Sequence, residues 1–177
     1  MTVLCDLAFR HGSDKCPQVK HHYTPVYYEI FKDRREDVRK VVEIGVGTGA
    51  SLYMWRDFFP NAMVYGADIV EEFLFSDDRI ETFYCDQSVR GNLVDLVEAI
   101  GPDIDLFVDD GSHQPDDQIL TCLTVMPLLD EEVIYVIEDA WRAGIVRSFQ
   151  DYDWEKVGFA DRVSNDDRLI IVRRKHG

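Results

Sequence analysis

The sequence predicts an α/β fold in which helices cover both faces of a doubly wound, mostly parallel seven-stranded sheet that ends in an antiparallel hairpin. Three observations support this. Short runs rich in Val and Ile alternate with longer amphipathic segments, which is the β-α-β order of a parallel sheet. The runs are continuously apolar, as in strands buried on both faces. The last two runs have no helical segment between them, which indicates a hairpin at the sheet edge.

The first helix is predicted from its start signal. Thr24 and Pro25 resemble an N-cap followed by proline at the first helical position. We expect this helix to end near Asp37 and the preceding residues, 1–22, to be irregular.

The later elements follow in order, with Pro60, Gly101 and Pro115 marking helix ends or starts. A short acidic segment after the second strand is expected to hold a helical turn, and residues 164–167 are expected to be the hairpin turn. The predicted strands are 40–44, 63–69, 79–85, 104–108, 132–137, 156–163 and 168–174, and the predicted helices between them are 50–59, 88–100 and 115–129.

Length and composition favour one globular domain over residues 1–177. We divide it into an N-terminal cap segment and helix (1–37), a core (38–139), and a terminal segment with the hairpin (140–177). The formal net charge of −15 argues against nucleic acid and anionic membranes as partners, because both require clustered Lys and Arg. The four cysteines lack C-x-x-C spacing, and no signal peptide or long apolar span is present, so we expect a cytoplasmic protein with free thiols.

Two predicted strands each end in a pair of acids. One runs into Asp109 and Asp110, with His113 three residues further on, and the other runs into Glu138 and Asp139. If the strands are neighbours, about 4.8 Å apart, four carboxylates and an imidazole meet at one sheet edge. Bare carboxylates that close would repel each other, and a divalent cation removes the conflict. The sequence therefore predicts a metal site, although either pair alone could be a turn or a helix start.

A glycine-rich turn follows the first strand. Glu43 lies in that strand, and Gly45, Gly47 and Gly49 lead into the next helix. Ligands of such folds bind at the carboxyl ends of the strands. The G-x-G-x-G spacing differs from the G-x-G-x-x-G that cradles a dinucleotide pyrophosphate. We interpret this turn as a ligand-binding loop, with a purely structural turn as the alternative.

Further polar residues end the second and third strands. Asp68 is placed to bind a ribose hydroxyl, and Asp86 with Gln87 is placed to bind an adenine amino group. Each alone could be a surface turn residue. Together they favour a cofactor without phosphate that carries an amine and a cationic sulfonium.

These motifs resemble class I S-adenosylmethionine (SAM)-dependent methyltransferases. Within that superfamily the chain resembles the metal-dependent sugar O-methyltransferases of macrolide antibiotic pathways, of the demethylmacrocin and mycinamicin type. The resemblance runs from about residue 9 to residue 141, and its specific motifs are at 12–15, 22–24, 109–113 and 136–139. It implies a Rossmann-like fold and Mg²⁺-dependent methylation of a hydroxyl on a sugar or glycosylated natural product.

The resemblance also implies residue roles. Asp110, Glu138 and Asp139 would bind Mg²⁺, and Asp110 and His113 would be catalytic, with His113 as the general base. The methionine part of SAM would be held by Glu43, Gly45, Gly47 and Gly49, with Asp109 nearby, the ribose by Asp68, and the adenine side by Asp86 and Gln87. Tyr23 and Thr24, with His22 and Lys15, would close over the cofactor.

The acceptor is less well defined. The segment 140–153 is short, so we expect a small-molecule acceptor pocket that is shallow, completed by another subunit of a homo-oligomer, or built for a different substrate. Trp141, Tyr152 and Trp154 either line this pocket or pack in the fold. The alternatives are a catechol-type O-methyltransferase, a nucleotide-dependent oxidoreductase and a catalytically silent cofactor-binding module.

Overall fold

A computed structural model describes residues 1–159 and 168–175 of the chain, and its elements alternate as the sequence predicts. The helices are α1 Val3–His11, α2 Tyr23–Phe31, α3 Ala50–Phe58, α4 Arg90–Ile100 and α5 Pro115–Val125. The strands are β1 Lys40–Ile44, β2 Met63–Asp68, β3 Ser76–Asp77, β4 Ile80–Tyr84, β5 Leu106–Asp109, β6 Ile134–Ile137, β7 Tyr152–Gly158 and β8 Arg168–Arg174. Short 3₁₀ helices occupy Glu71–Phe73, Met126–Leu128 and Ala143–Ser148.

The sheet has the order β3-β4-β2-β1-β5-β6-β8-β7, and β1, β2, β4, β5 and β6 are parallel. The chain winds outward from β1 in both directions, which places the switch point between β1 and β5. This confirms the predicted fold class. The eighth strand is β3, a two-residue strand antiparallel to β4 that follows the expected helical turn.

The terminal hairpin is also present. Strand β8 pairs antiparallel with both β6 and β7, and β7 begins at Tyr152, four residues before the predicted start. The predicted hairpin turn, 164–167, lies outside the described residues.

The expectation that residues 1–22 are irregular was wrong, because α1 lies within them. Thr2 caps this helix, since its side chain accepts a hydrogen bond from the Cys5 amide at 3.2 Å. Gly12 ends the helix in the left-handed conformation, at φ +76°. Leu4 and Ala8 are fully buried at i, i+4 spacing, so a cap, an apolar face and a C-terminal glycine were all present in the sequence.

Helix α2 is shorter than predicted and begins earlier. Its N-cap is His22, and Pro25 lies in the first turn, where a missing amide hydrogen leaves no bond unmade. The helix ends at Phe31, and turns follow as far as Asp37.

Two apolar layers hold the sheet between them. Helices α1, α2 and α3 pack on one face, where Trp55 is fully buried, and α4 and α5 pack on the other, where Tyr135 is fully buried. Among the described residues, no helix is both long enough and apolar enough to cross a membrane. The layers leave the carboxyl edge of the sheet open for a site.

Candidate metal centre and cofactor cleft

The two acid pairs lie side by side, as predicted, because β5 and β6 are adjacent. Asp109 at the end of β5 is paired in register with Ile137 at the end of β6. The Glu138 amide donates a hydrogen bond to the Asp109 carbonyl at 3.0 Å. The hydrogen bonding between β5 and β6 therefore extends one residue beyond the end of β6. Asp110 and Glu138 therefore follow their strands at the same level of the sheet.

Asp110, His113 and Asp139 converge on the open side of this edge. One side-chain ligand atom from each lies within 4.8 Å of the others. His113 Nε2 lies 3.0 Å from Asp110 Oδ1 and 3.7 Å from Asp139 Oδ2. His113 and Asp139 both adopt positive φ, +57° and +48°, which is uncommon for residues other than glycine. Two of the three residues in this group therefore have a left-handed backbone conformation.

Glu138 faces the interior instead. Its carboxylate is 1% exposed, accepts a hydrogen bond from the Tyr27 hydroxyl at 2.6 Å and contacts the Lys15 ammonium at 2.6 Å. Tyr23, one turn before Tyr27, donates its hydroxyl hydrogen to Asp139. Helix α2 thus donates one hydrogen bond to each acid of the second pair.

Lys15 lies among these acids, a contact that the sequence analysis missed. Its Nζ is 2.5 Å from Asp110 Oδ2, 2.6 Å from Glu138 Oε2 and 3.5 Å from Glu43 Oε1. Burial lowers the pKa of Lys15, but the three carboxylates outweigh burial and hold that pKa well above its usual value. The lysine is therefore charged, and its side chain is buried among the acids.

The pKa values of the other groups in the cluster are shifted in different directions. Burial raises the pKa of Glu138 well above its usual value and also raises the pKa of Asp139. Burial opposes ionisation of Asp110 too, but Lys15 and His113 bring its pKa to about 2. The hydrogen bond to Asp110 raises the pKa of His113, despite burial. Asp110 is thus the most firmly ionised of these acids.

The glycine loop is packed against the acid cluster. Gly45 has φ +101°, and a Cβ atom there would lie 2.1 Å from the Asp110 carbonyl oxygen. The Asp110 amide in turn donates to the Ile44 carbonyl at 3.0 Å. The absence of a side chain at Gly45 therefore lets the ends of β1 and β5 approach.

We expect Gly45→Ala to lower the free energy of unfolding by about 3 kcal/mol, since the methyl group clashes with backbone and the conformation is strained. Gly47→Ala is the matched control. Gly47 also has positive φ, but a Cβ there meets nothing within 4 Å, so a loss of about 1 kcal/mol is expected. Denaturant unfolding measures both, and equal losses would contradict the close-approach argument.

Asp68, at the end of β2, accepts hydrogen bonds from the glycine loop. Its Oδ2 accepts hydrogen bonds from the amides of Val46 at 2.8 Å and Gly47 at 3.2 Å, and its Oδ1 accepts one from the Val70 amide at 2.9 Å. The sequence analysis assigned Asp68 to a ribose, and the structure adds that it orders the loop.

Two adjoining cavities form a cleft over the strand ends, with volumes of about 380 and 330 Å³. Gly45, Asp68 and Gly111 line both cavities. The larger cavity reaches the cluster of Asp110, His113 and Asp139, and the smaller one is lined by Ile69, Cys85, Asp86 and Gln87, among others. Clefts of this size suit a small-molecule cofactor.

Five residues predicted to contact the cofactor are buried and line neither cavity: Tyr23, Thr24, Glu43, Gly49 and Asp109. Glu43 accepts hydrogen bonds from Ser51 Oγ at 2.5 Å and from the Trp55 indole. Tyr23 is bonded to Asp139, and Thr24 Oγ1 lies 3.2 Å from Cys5 Sγ. Gly49 is the N-cap of α3, at φ +77°.

Asp109 is tied to its neighbours under the cleft. It accepts hydrogen bonds from Gln87 Nε2 at 2.8 Å and from the Tyr135 hydroxyl at 3.1 Å. Burial raises the pKa of Asp109 to about 6, although both hydrogen bonds favour its charged form. Gln87 also accepts from the Ser112 amide at 2.6 Å, so it links the ends of β4 and β5.

Trp141 flanks the group formed by Asp110, His113 and Asp139. Its indole Nε1 donates to the His113 carbonyl at 2.9 Å, while the residue remains 50% exposed. Trp154 lies on the edge strand β7, with the Lys156 ammonium 5.6 Å from its ring centre. Of the candidate acceptor residues, Trp141 is therefore joined directly to the site.

Comparisons with known proteins find relatives that match part of their own length. No family model matches the chain. The 8-demethyl-8-alpha-L-rhamnosyl tetracenomycin-C 2'-O-methyltransferase of Streptomyces olivaceus is 39% identical over 171 residues, which cover 90% of this chain and 44% of that protein. Demethylmacrocin O-methyltransferase of Streptomyces fradiae is 35% identical over 130 residues, 70% of this chain and 33% of that protein. The chain thus spans less than half the length of these relatives.

Solved structures give the same result. The MycE methyltransferase of the mycinamycin biosynthetic pathway, in complex with Mg and S-adenosylhomocysteine (SAH), has a TM-score of 0.82 and 25% identity, covering 98% of this chain and 55% of that one. A putative caffeoyl-CoA O-methyltransferase from Staphylococcus aureus, at 12% identity and a TM-score of 0.64, covers 99% of this chain and 93% of that one and shares the fold alone. Over the region that it shares with these relatives, the chain resembles SAM-dependent methyltransferases of the macrolide sugar O-methyltransferase type.

Proposed function

We propose that the chain catalyses SAM-dependent, Mg²⁺-dependent O-methylation of a hydroxyl on a sugar or glycosylated natural product. The observation that carries this proposal is the position of Asp110, His113 and Asp139 at one end of the cleft, directly beside the glycine loop. The sugar O-methyltransferase relatives, at up to 39% identity, support the reaction type.

The cleft would hold the cofactor. Gly45 and Gly47 would face the methionine part, Gly49 would shape the loop from beneath as the N-cap of α3, and Asp68 would bind the ribose. Asp86 and Gln87 line the smaller cavity, where the adenine side would lie. Glu43 and Asp109 would act indirectly, by fixing α3 and Gln87 beneath the cofactor.

The acid cluster suits magnesium, a hard cation that prefers oxygen ligands. Asp110 and Asp139 offer carboxylate oxygens to the cleft, whereas the Glu138 oxygens contact Tyr27 and Lys15 in the interior. We propose Asp110 and Asp139 as Mg²⁺ ligands; Glu138, the third ligand that the resemblance implies, would reach the ion only by turning away from these interior contacts. Bound Mg²⁺ would lower the pKa of the acceptor hydroxyl, and SAM would supply the methyl group.

His113 would take the hydroxyl proton as the general base. Its Nε2 contact with Asp110 Oδ1 at 3.0 Å orients the imidazole toward the metal-facing side of the cluster. Trp141 would hold the acceptor next to His113, since its indole is fixed by the His113 carbonyl and half of it is exposed. A second subunit of a homo-oligomer would complete an acceptor pocket built on this edge.

Calorimetric titration with SAM, SAH and NAD, each with and without Mg²⁺, tests the cofactor assignment. We expect micromolar binding of SAM and SAH, no heat from NAD, and a separate Mg²⁺ heat. Binding of NAD in place of the two adenosyl ligands would favour the oxidoreductase alternative. Silence toward SAM and SAH would remove the proposal and leave a shared fold.

A further inference from the structure

A single lysine lies where the acid pairs meet the glycine strand. The Lys15 side chain is 2% exposed, and its Nζ contacts Asp110, Glu138 and Glu43 at 2.5, 2.6 and 3.5 Å. The Glu43 and Glu138 carboxylates are 0% and 1% exposed. Within the part of the chain that the structure describes, no other Lys or Arg forms a salt bridge with either glutamate.

The fold holds this lysine in place through its backbone. The Lys15 carbonyl accepts hydrogen bonds from the amides of Tyr23 at 3.1 Å and Thr24 at 3.0 Å, the first residues of α2. The same helix supplies the Tyr27 hydroxyl to Glu138. The backbone of Lys15 is therefore fixed to the first turn of α2, and this contact positions its ammonium group in the cluster.

Charge explains why a cation is needed there. Glu43, Asp110, Glu138 and Asp139 carry up to four negative charges in a small, mostly buried volume, and Lys15 supplies one positive charge. Buried charges are tolerated only when they are paired. A divalent cation at the cleft would balance the exposed side of the cluster, but Glu43 lies on the buried side, against Lys15.

We propose that Lys15 is a positioning residue of the metal site, a built-in counter-charge that holds Asp110 and Glu138 side by side and tempers the affinity of the cluster for the divalent cation. The inference rests on the proposed function, because it takes the cluster to be a Mg²⁺ site. Removing the ammonium leaves an excess of negative charge, so the cluster binds Mg²⁺ more tightly but aligns it less well for turnover.

The test uses Lys15→Met, with Lys40→Met as the matched control. Lys40 forms an ion pair of the same length, 2.5 Å from Asp103, but this pair is more exposed, and Lys40 begins β1 at the opposite end of the sheet from the site. Mg²⁺ affinity is measured by calorimetry, the unfolding temperature is measured in EDTA and in Mg²⁺, and kcat is measured at saturating Mg²⁺.

For Lys15→Met we expect a lower unfolding temperature in EDTA and a larger gain on adding Mg²⁺ than in the wild-type chain, because a ligand that binds the native state more tightly stabilises it more. The Kd for Mg²⁺ is expected to fall by about threefold or more, while kcat falls by about tenfold or more. Lys40→Met should leave the Kd for Mg²⁺ unchanged. An unchanged or weakened Mg²⁺ affinity in Lys15→Met would overturn the proposal.

Two further variants keep the test decisive if Lys15→Met does not fold. Lys15→Arg retains the charge and should retain the wild-type Kd for Mg²⁺. The double variant Lys15→Met/Glu138→Gln removes one charge of each sign and should be more stable in EDTA than Lys15→Met. A double variant no more stable than the single one would reject the counter-charge. Failure of the wild-type chain to bind Mg²⁺ would instead reject the proposed function.

Discussion

The Asp110→Asn variant is expected to bind Mg²⁺ at least roughly 100-fold more weakly than the wild-type chain and to lose at least roughly 10³-fold in kcat. Asp110 faces the cleft with one carboxylate oxygen and contacts His113 and Lys15 through different oxygens. Asparagine keeps the shape of the side chain but removes the charge, so both the metal ligand and the partner of His113 are weakened. Calorimetry and initial rates measure the two effects.

Asp14→Asn is the control for this prediction. Asp14 lines the same cavity, but its side chain is 51% exposed. The same loss of charge there should change the Kd for Mg²⁺ by no more than about threefold, because solvent screens it. An Asp110→Asn variant that binds Mg²⁺ as tightly as Asp14→Asn would show that the cluster is not the metal site.

The second large effect is expected for His113→Asn, which should lower kcat by about 10²- to 10⁴-fold while leaving SAM binding intact. Asparagine tolerates the left-handed backbone at φ +57° better than most residues. It can also donate a hydrogen bond to Asp110, but it cannot accept the proton of the acceptor hydroxyl. The loss would therefore report proton transfer rather than a distorted loop.

Imidazole rescue separates the two roles further. His113→Gly suits the same backbone conformation and leaves space for a small base, so added imidazole should restore part of its rate. It should restore none of the rate of Asp110→Asn. A His113→Asn variant with kcat within about tenfold of the wild-type value would exclude His113 as the general base.

The strand ends were predictable, but the directions of their side chains were not. Apolar runs followed by acids correctly placed Asp110 and Asp139 at one edge, because strand order follows from the β-α-β pattern. Glu43 and Asp109 were expected to face a cofactor, yet both point into the packed layers. Successive side chains of a strand point to opposite faces of the sheet. Whether a residue at a strand end faces the cleft or the interior therefore depends on the end of the strand being predicted to within one residue.

Lys15 could not have been placed from the sequence, since 95 residues separate it from Asp110. The sequence indicates Lys15 only indirectly. A cluster of buried acids requires a cation, and the sequence does not show which cation fills that role. Helix α1 is the opposite case. Its cap at Thr2 and its terminal Gly12 were readable, and the many polar residues around them obscured the pattern.

The hydroxyl groups of Tyr23 and Tyr27 have a consequence for how the molecule assembles. They reach Asp139 and Glu138 across 116 and 111 positions of the chain. Closing such long loops costs conformational entropy. The acid cluster can be completed only once the chain has been synthesised past Asp139 and α2 has packed beside the end of β6. Metal binding would then report completed folding of the entire sheet rather than of one local unit.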